Sequence, residues 1–382
     1  MELGFDAEQK MIIDGVRDFA RGEIAPLARE MDEQARIPEA ILEQMRALGL
    51  FGIQVPEAYE GLGLDSRVYA AIIEEISSVC AGIGILLSVH SSVAAYPLTA
   101  FGTEEQRRRF LPRLAAGEIG AFCLSEPDSG SDAASLKTSA RRDGDAYVLT
   151  GTKVFVSSGS LASLYLVMAR TDPDPALRHR GISAFLVERD APGLIVGRKE
   201  DKMGMRADDT TEIFLEDCRV PAENRLGAEG QGFHVAMKAL DNGRIGVGAQ
   251  AVGIARAALE EALSYARTRY QFGFPLVHFE AIQGKLAEMA TRIEAARLLV
   301  HQAAWMKDQG KPYKRQAAMA KLAASESANW VTHQALQIHG GYGYMKEYAV
   351  ERYYRDARVT EIYEGTSEMQ RLVIARSLLR DE

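Results

Sequence analysis

The feature that most constrains this fold is a change of hydrophobic rhythm along the chain. Apolar residues recur at helical spacing to about residue 120, fall into short runs from 121, and return to helical spacing from about 231. One repeating element cannot produce both rhythms, so the chain divides into helical, β and helical parts at 1–120, 121–230 and 231–382. In the first part, Asp6 to Gln9 and Thr103 to Gln106 each carry the capping-box pattern. Met11, Ile12, Val16 and Phe19 follow the first box at helical spacing. Ala70 to Val89 is apolar with little polar relief and reads as a buried helix interrupted at Gly82 and Gly84.

The middle part carries apolar runs at Tyr147–Leu149, Val154–Val156, Leu164–Ala169, Ile182–Val187 and Glu212–Leu215. Turn chemistry separates them at Asp143-Gly144, Asp172 to Pro175 and Ala191 to Gly193. With no long helix between them, the runs point to an antiparallel barrel or sandwich, not to βαβ units. In the third part, Ile282, Leu286, Met289, Ile293, Ala296, Val300 and Ala303 trace one stripe. A further helix is expected over about 314–338, with Met319, Leu322, Val331 and Ile338 apolar. Such stripes are buried against one another, which makes this part a helical bundle.

Composition removes several functional classes. The chain of 382 residues has 45 basic and 53 acidic side chains, a net charge of −8, which opposes a general nucleic-acid or anionic-membrane binder. Cys80, Cys123 and Cys218 lie far apart and form no disulfide framework, as expected of a reducing compartment. The N-terminus lacks the layout of a signal peptide, and no run approaches the ~18 apolar residues of a membrane span. The expectation is a cytoplasmic protein with no membrane insertion. No Rossmann, P-loop, HExxH or GxSxG signature occurs, and the seven histidines show no metal spacing, so no metal site is expected.

Five constellations remain. Phe122 to Ser131 is a tight Ser/Gly/Pro loop with free amides and hydroxyls, suited to polar ring edges or phosphates, or simply a turn. In Ile362 to Glu368, Glu364 lies between an aromatic residue and a glycine, where desolvation would make it a usable base; Thr366 or Ser367 could instead be only a helix cap there. Arg244 can pair with Asp241 at i, i+3 or line a ligand cleft. Arg267 to Gly273 offers Arg269 as a pyrophosphate fork or as a solvated helix end. Gln337 to Gly343 places three glycines after a long helix, more than a C-cap needs.

Taken in order, these segments resemble the acyl-CoA dehydrogenase family over essentially the full chain, most closely its short-chain, butyryl-CoA branch. The matching motifs are Leu124 to Asp132, Lys202 to Gly204, Leu240 to Ile245, Arg269 to Gly273, Gln337 to Gly341 and Tyr363 to Glu368. The resemblance implies an N-terminal all-α domain, a middle antiparallel β domain and a C-terminal four-helix bundle. It implies FAD as cofactor, acyl-CoA as substrate, electron-transfer flavoprotein as electron acceptor, and a homotetramer. It further implies flavin contacts from Phe122, Leu124, Ser125, Gly130 and Ser131, with Phe155, Val156 and Ser157 beside the ring system. By the same resemblance, Arg269, Phe272, Gln337, Gly340 and Gly341 would reach the cofactor of a neighbouring subunit, and Thr366 and Glu368 would add cofactor contacts. Ser131, Asp241, Arg244 and Gly365 would border the acyl-CoA, and Glu364 would be the catalytic base.

The implied reaction is α,β-dehydrogenation of short- or medium-chain acyl-CoA to trans-2-enoyl-CoA. Branched short-chain substrates, or a flavin oxidase or monooxygenase on the same fold, are the alternatives. Relatives with the base on the helix near residue 243 differ here, since that position is Gly243. The absence of a basic residue over Gly82 to Val89 opposes a dicarboxylyl substrate. Phe155 stands where many members have tryptophan, and Ser157 where threonine is common. Glu280 replaces a usual glutamine and, as a group that cannot donate when ionised, receives no cofactor role.

Overall fold

The computed structural model describes residues 4–379. Among the described residues seven α-helices come first: α1 Ala7–Phe19, α2 Ala28–Gln34, α3 Glu39–Ala47, α4 Ser66–Val79, α5 Ala81–Val89, α6 Tyr96–Phe101 and α7 Glu104–Ala115. Both capping boxes form. The Asp6 and Thr103 side chains accept from the backbone N–H of Gln9 and Gln106, whose own side chains reach back to the caps. The expected single helix over Ala70 to Val89 is two helices. The break falls at Cys80, whose extended backbone (φ −144°, ψ 102°) separates α4 from α5, and not at Gly82 or Gly84, which remain helical. These glycines serve close approach instead. A Cβ on Gly82 would lie 2.7 Å from the Ala207 Cβ, and one on Gly84 would lie 2.0 Å from Ser77 Oγ.

A wide π-helical turn, His90–Ala95, joins α5 to α6. The resulting helix, Ala81–Phe101, is long and apolar enough to cross a bilayer, with mean hydropathy 1.4, which corrects the expectation that no run approaches that length. Its most apolar window is 94% buried inside the protein, as a core helix would be. His90 anchors the turn: its Nδ1 accepts from the Gly120 N–H at 3.1 Å and its Nε2 donates to the Phe51 carbonyl at 3.0 Å. Burial pushes this imidazole down to about 4, so it is neutral at physiological pH.

The β part contains β1 Ile119–Cys123, β2 Ser139–Asp143, β3 Ala146–Ser157, β4 Ala162–Arg170, β5 Ile182–Glu188, β6 Leu194–Lys199, β7 Thr210–Pro221 and β8 Arg225–Leu226. The sheet order is β6-β7-β3-β2-β4-β5-β8, with β1 added beside β4. Most pairings are antiparallel, but β1 runs parallel to β4, and β2 meets β4 in parallel at Ser139 and Arg170. The separate runs read at Tyr147–Leu149 and Val154–Val156 belong to one strand, β3, bent by register shifts against β7.

The last part holds α8 Gly232–Thr268, a small hairpin of β9 Tyr270–Gln271 and β10 Phe274–Pro275, then α9 Glu280–Asp308, α10 Lys314–His339, α11 Val350–Arg358 and α12 Ser367–Leu379. Three long helices and two short ones thus make up the bundle. The α9 stripe is buried at Met289, Ile293, Ala296, Val300 and Ala303, and Ile282 and Leu286 are half-buried. On α10, Val331 and Ile338 are buried, whereas Met319 is 39% exposed; the buried face is carried mainly by alanines. Glu280 is the first residue of α9, where a carboxylate favours the helix N-terminus. Charge fastens the first part to the third: Glu75 of α4 receives Arg256 of α8 at 2.7 Å and Arg17 of α1 at 3.0 Å, and Glu74 receives Arg297 of α9 at 3.0 Å. All three cysteines are buried free thiols.

Candidate active site

The site is built where the loop between α11 and α12 lies against α8 and α10. Glu364 and Gly365 in that loop both adopt positive φ, 51° and 94°. A bulky non-glycine residue in this region is strained and persists only where its surroundings enforce it. Here the enforcement is visible. The Tyr363 hydroxyl donates to Gln250 Oε1 on α8, and Gln250 Nε2 donates to the Ala81 carbonyl at 2.8 Å. Gln370 Nε2 donates to the Glu364 carbonyl at 3.3 Å and to the Gly365 carbonyl at 2.8 Å. Lys321 Nζ of α10 also donates to the Gly365 carbonyl, at 2.8 Å. Thr366 Oγ1 accepts from the Met369 N–H and caps α12.

The backbone around Glu364 is held, but its carboxylate is not. Both oxygens are buried with no hydrogen-bond partner. Desolvation pushes the carboxyl up to about 7, against the opposing pull of the Lys321 and Arg244 charges. An unsatisfied buried carboxylate is costly and calls for a functional explanation. It has room because α8 has no side chain opposite: a Cβ on Gly243 would lie 1.9 Å from Glu364 Oε2. One turn farther along α8, a Cβ on Gly246 would lie 2.3 Å from Ser88 Oγ and 2.5 Å from the Tyr69 hydroxyl. Tyr69 and Ser88 are both 0% exposed and their hydroxyls lie 3.4 Å apart. A polar, fully packed stop therefore stands next to the carboxylate.

Asp241 and Arg244 do pair, at 2.6 Å, but as a buried pair (5% and 6% exposed) and not as helix-surface trim. Arg244 Nε has no partner. On the β side, Phe122 is half-buried on β1 and Leu124 is buried; Ser125 follows half-buried, and Gly130 and Ser131 are exposed in the turn beyond. This loop is tied to β3, where the Val154 N–H donates to the Ser125 carbonyl at 2.9 Å. Lys153 Nζ, fully buried, donates to the Leu124 carbonyl at 3.3 Å and to Glu126 Oε1 at 2.7 Å. A register shift between Lys153 and Val156 turns Phe155 outward at φ 58°, leaving it 74% exposed while Val156 is buried and Ser157 half-buried. A strained aromatic ring facing solvent beside a hydroxyl-bearing loop fits a flat ring system with polar edges, such as a flavin.

The remaining expected residues are not brought to Glu364 within one chain. Arg269 follows the end of α8, 26 residues beyond Gly243, or about 39 Å along the helix. Gln337 lies 16 residues beyond Lys321 on α10, or about 24 Å away. The Arg269 guanidinium lies 5.3 Å from the ring centroid of Tyr342, which follows the exposed Gln337, Gly340 and Gly341 in the chain. Phe272, at the hairpin tip, is 91% exposed. Glu368 is exposed on the first turn of α12. Among the described residues no group of His, Cys, Asp or Glu could hold a metal.

Sequence reading missed Lys321, Gln370, Gln250, Tyr69 and Ser88. For Lys321 the signal was present: it falls in phase with Ala317, Ala324 and Ala328 on the buried face of α10, a charge where the stripe calls for an apolar residue. The others make contacts between segments far apart in sequence, which no local pattern reveals.

This helical, β and helical fold, with a buried carboxylate in its bundle, is that of a flavin-dependent oxidoreductase, and the chain belongs to the acyl-CoA dehydrogenase family, whose members bind FAD. Models of the family's N-terminal, middle and C-terminal domains match residues 6–118, 121–218 and 230–379. The chain is 50% identical over 372 residues to the mitochondrial short-chain specific acyl-CoA dehydrogenase of Bos taurus, covering 97% of this chain and 90% of that protein. Its structure superimposes on butyryl-CoA dehydrogenase from Megasphaera elsdenii with a TM-score of 0.97, at 44% identity and 100% coverage of both chains. An equal TM-score, at 47% identity and 100% coverage of both, is found with a structure described as the electron transferring flavoprotein of Acidaminococcus fermentans, from work on flavin-based electron bifurcation.

Proposed function

We propose that this protein removes two hydrogens from the α and β carbons of short straight-chain acyl-CoA thioesters, giving trans-2-enoyl-CoA. The observation that carries this reading is the Glu364 carboxylate, buried, unpartnered and seated against Gly243, whose missing side chain gives it room. An α-proton of a thioester is weakly acidic, so its removal needs a base that is desolvated and poised near neutral pH. Glu364, pushed up to about 7, meets both conditions. The backbone amide of Glu364 is the chain's donor toward the thioester carbonyl, where negative charge develops as the proton leaves. Bound FAD supplies the acceptor for the β-hydride.

Phe122 to Ser131 and Phe155 to Ser157 hold the flavin ring, with Thr366 and Glu368 adding contacts from the start of α12. Ser131, Asp241, Arg244 and Gly365 border the acyl-CoA, and Arg244 also faces Glu364 electrostatically. The buried hydroxyls of Tyr69 and Ser88 against Gly246 close the acyl end, which favours short chains. Because Arg269, Phe272, Gln337, Gly340 and Gly341 lie a helix length from Glu364, they serve the cofactor of a second copy, within a homotetramer. Likeness to the Acidaminococcus fermentans structure supports an electron-transfer flavoprotein as the electron acceptor.

The test is an anaerobic visible titration of the purified protein with butyryl-, octanoyl- and isobutyryl-CoA. Bleaching of the flavin band by butyryl-CoA ahead of the other two is expected. A flavin band that no thioester bleaches would contradict the proposal.

A further inference from the structure

Among the described residues two lysines are fully buried, Lys153 and Lys321. Their situations differ. Lys153 has a carboxylate partner, Glu126 Oε1, at 2.7 Å. The Lys321 ammonium forms no ion pair within 4.0 Å and spends one hydrogen bond on the Gly365 carbonyl. A buried ammonium without a contact partner is disfavoured, and burial pulls Lys321 down to about 8, where nearby negative charge opposes the further loss of its proton. The carboxylate acting most strongly on it is Glu364, itself buried and without a partner. Two costly groups therefore meet at one short loop, Glu364 on it and Lys321 bonded to it from α10, each lacking a contact ion and each in the other's field.

The other charges around them do not replace this relationship. Glu364 is faced by Lys321 from α10 and Arg244 from α8, with the neutral phenols of Tyr69 from α4 and Tyr363 from its own loop also close. Lys321 is faced by Glu364, Arg244, Glu361 and Glu368. Arg244 is largely neutralised by Asp241 at 2.6 Å, and Glu361 by Arg358, which donates to it. Glu368 is exposed and screened. What remains at the site is a net pair, Lys321 and Glu364.

We propose that Lys321 is a positioning residue for the Glu364 base: one donor fastens the loop at the Gly365 carbonyl, and its uncompensated charge holds the carboxylate ionised for proton abstraction. The proposal rests on Glu364 being the base. A charge role has a signature that structural damage lacks. Without Lys321, Glu364 binds its proton more tightly, so the loss of rate is greatest at low pH and closes at high pH. Damage to the loop would lower the rate alike at every pH.

The experiment measures flavin bleaching by butyryl-CoA in stopped flow, from pH 6 to 9, on FAD-loaded wild type, K321M, K321Q, K321R and E364Q. K321M and K321Q are expected to move the acid limb to higher pH, with a loss of at least about tenfold at pH 6, the size of a one-unit change in the base. The gap should close by pH 9, and K321R should follow wild type. If K321M does not retain FAD, K321Q carries the test, because it keeps a neutral donor toward Gly365. A K321Q profile that is unshifted, or lowered equally at all pH values, would overturn the role of Lys321. Turnover by E364Q would instead overturn the reading of Glu364 as base, so the two failures are distinguishable.

Discussion

Gly243 on α8 and Glu364 on the loop before α12 share one space, so close that a Cβ on the first would lie 1.9 Å from Oε2 of the second. The absence of a side chain at 243 is what admits the carboxylate. Gly243→Ala is therefore expected to displace Glu364 while leaving FAD binding intact. A shift of about 1 Å at a reacting group can cost a hundredfold, and a fall in kcat of at least that order is expected. Flavin content and butyryl-CoA bleaching rate, measured on one preparation, check this, and near-normal bleaching would contradict it.

The raised pKa of Glu364 also makes a prediction about stability. Its folded value, about 7, lies above the ordinary 4.5. Burial of the neutral acid is accommodated below pH 4.5, and that contribution is lost as pH rises through 7. Glu364→Gln removes the titration, so the variant should match wild type near pH 4.5 and exceed it by roughly 2–3 kcal/mol at pH 8. Thermal unfolding at both pH values tests this: the gap in Tm should widen with pH, and a constant gap would count against it.

Lys153 and Glu126 form a buried pair under the loop that begins at Phe122. Lys153→Met strands the Glu126 carboxylate and should cost about 3–5 kcal/mol, as the loss of one partner of a buried pair typically does. Because Lys153 also holds the Leu124 carbonyl, FAD affinity should fall together with stability. Isothermal titration of the flavin-stripped variant with FAD would show whether the loop and the cofactor depend on this lysine; unchanged affinity would separate them.

Chain length should respond to Tyr69. Tyr69→Val removes most of the stop at Gly246 and should raise kcat/KM for octanoyl-CoA relative to butyryl-CoA at least about tenfold, since each methylene is worth about 1–3 kcal/mol. The variant will also be less stable, because a large core side chain is truncated. An unchanged ratio would place the end of the acyl cavity elsewhere.

Much of this site was legible in the sequence. Glu364 stood out as a carboxylate between an aromatic residue and a glycine, and the Ser/Gly/Pro loop at Phe122–Ser131 stood out from the strands around it, because both break a local periodicity. The capping boxes were legible for the same reason, being reciprocal contacts within four residues. What local pattern could not give was contact across the chain. Gly84 looked like a helix interruption but is a packing gap for Ser77, whereas the break itself came at Cys80. The Lys321 contact with Gly365 joins residues 44 apart, and Gln250 with Tyr363 joins residues 113 apart. The long apolar helix through His90 was hidden because its middle turn is π-helical and carries a histidine and two serines.

The account turns on Glu364 as the group that takes the proton. The most direct measurement is single-turnover bleaching of the flavin by butyryl-CoA, anaerobically, in wild type and in Glu364→Gln. The account predicts that the variant binds FAD and perturbs its spectrum on adding butyryl-CoA, yet bleaches at least about a thousandfold more slowly, within the ~10²–10⁴ range of a general base. Bleaching by the variant at the wild-type rate would contradict it.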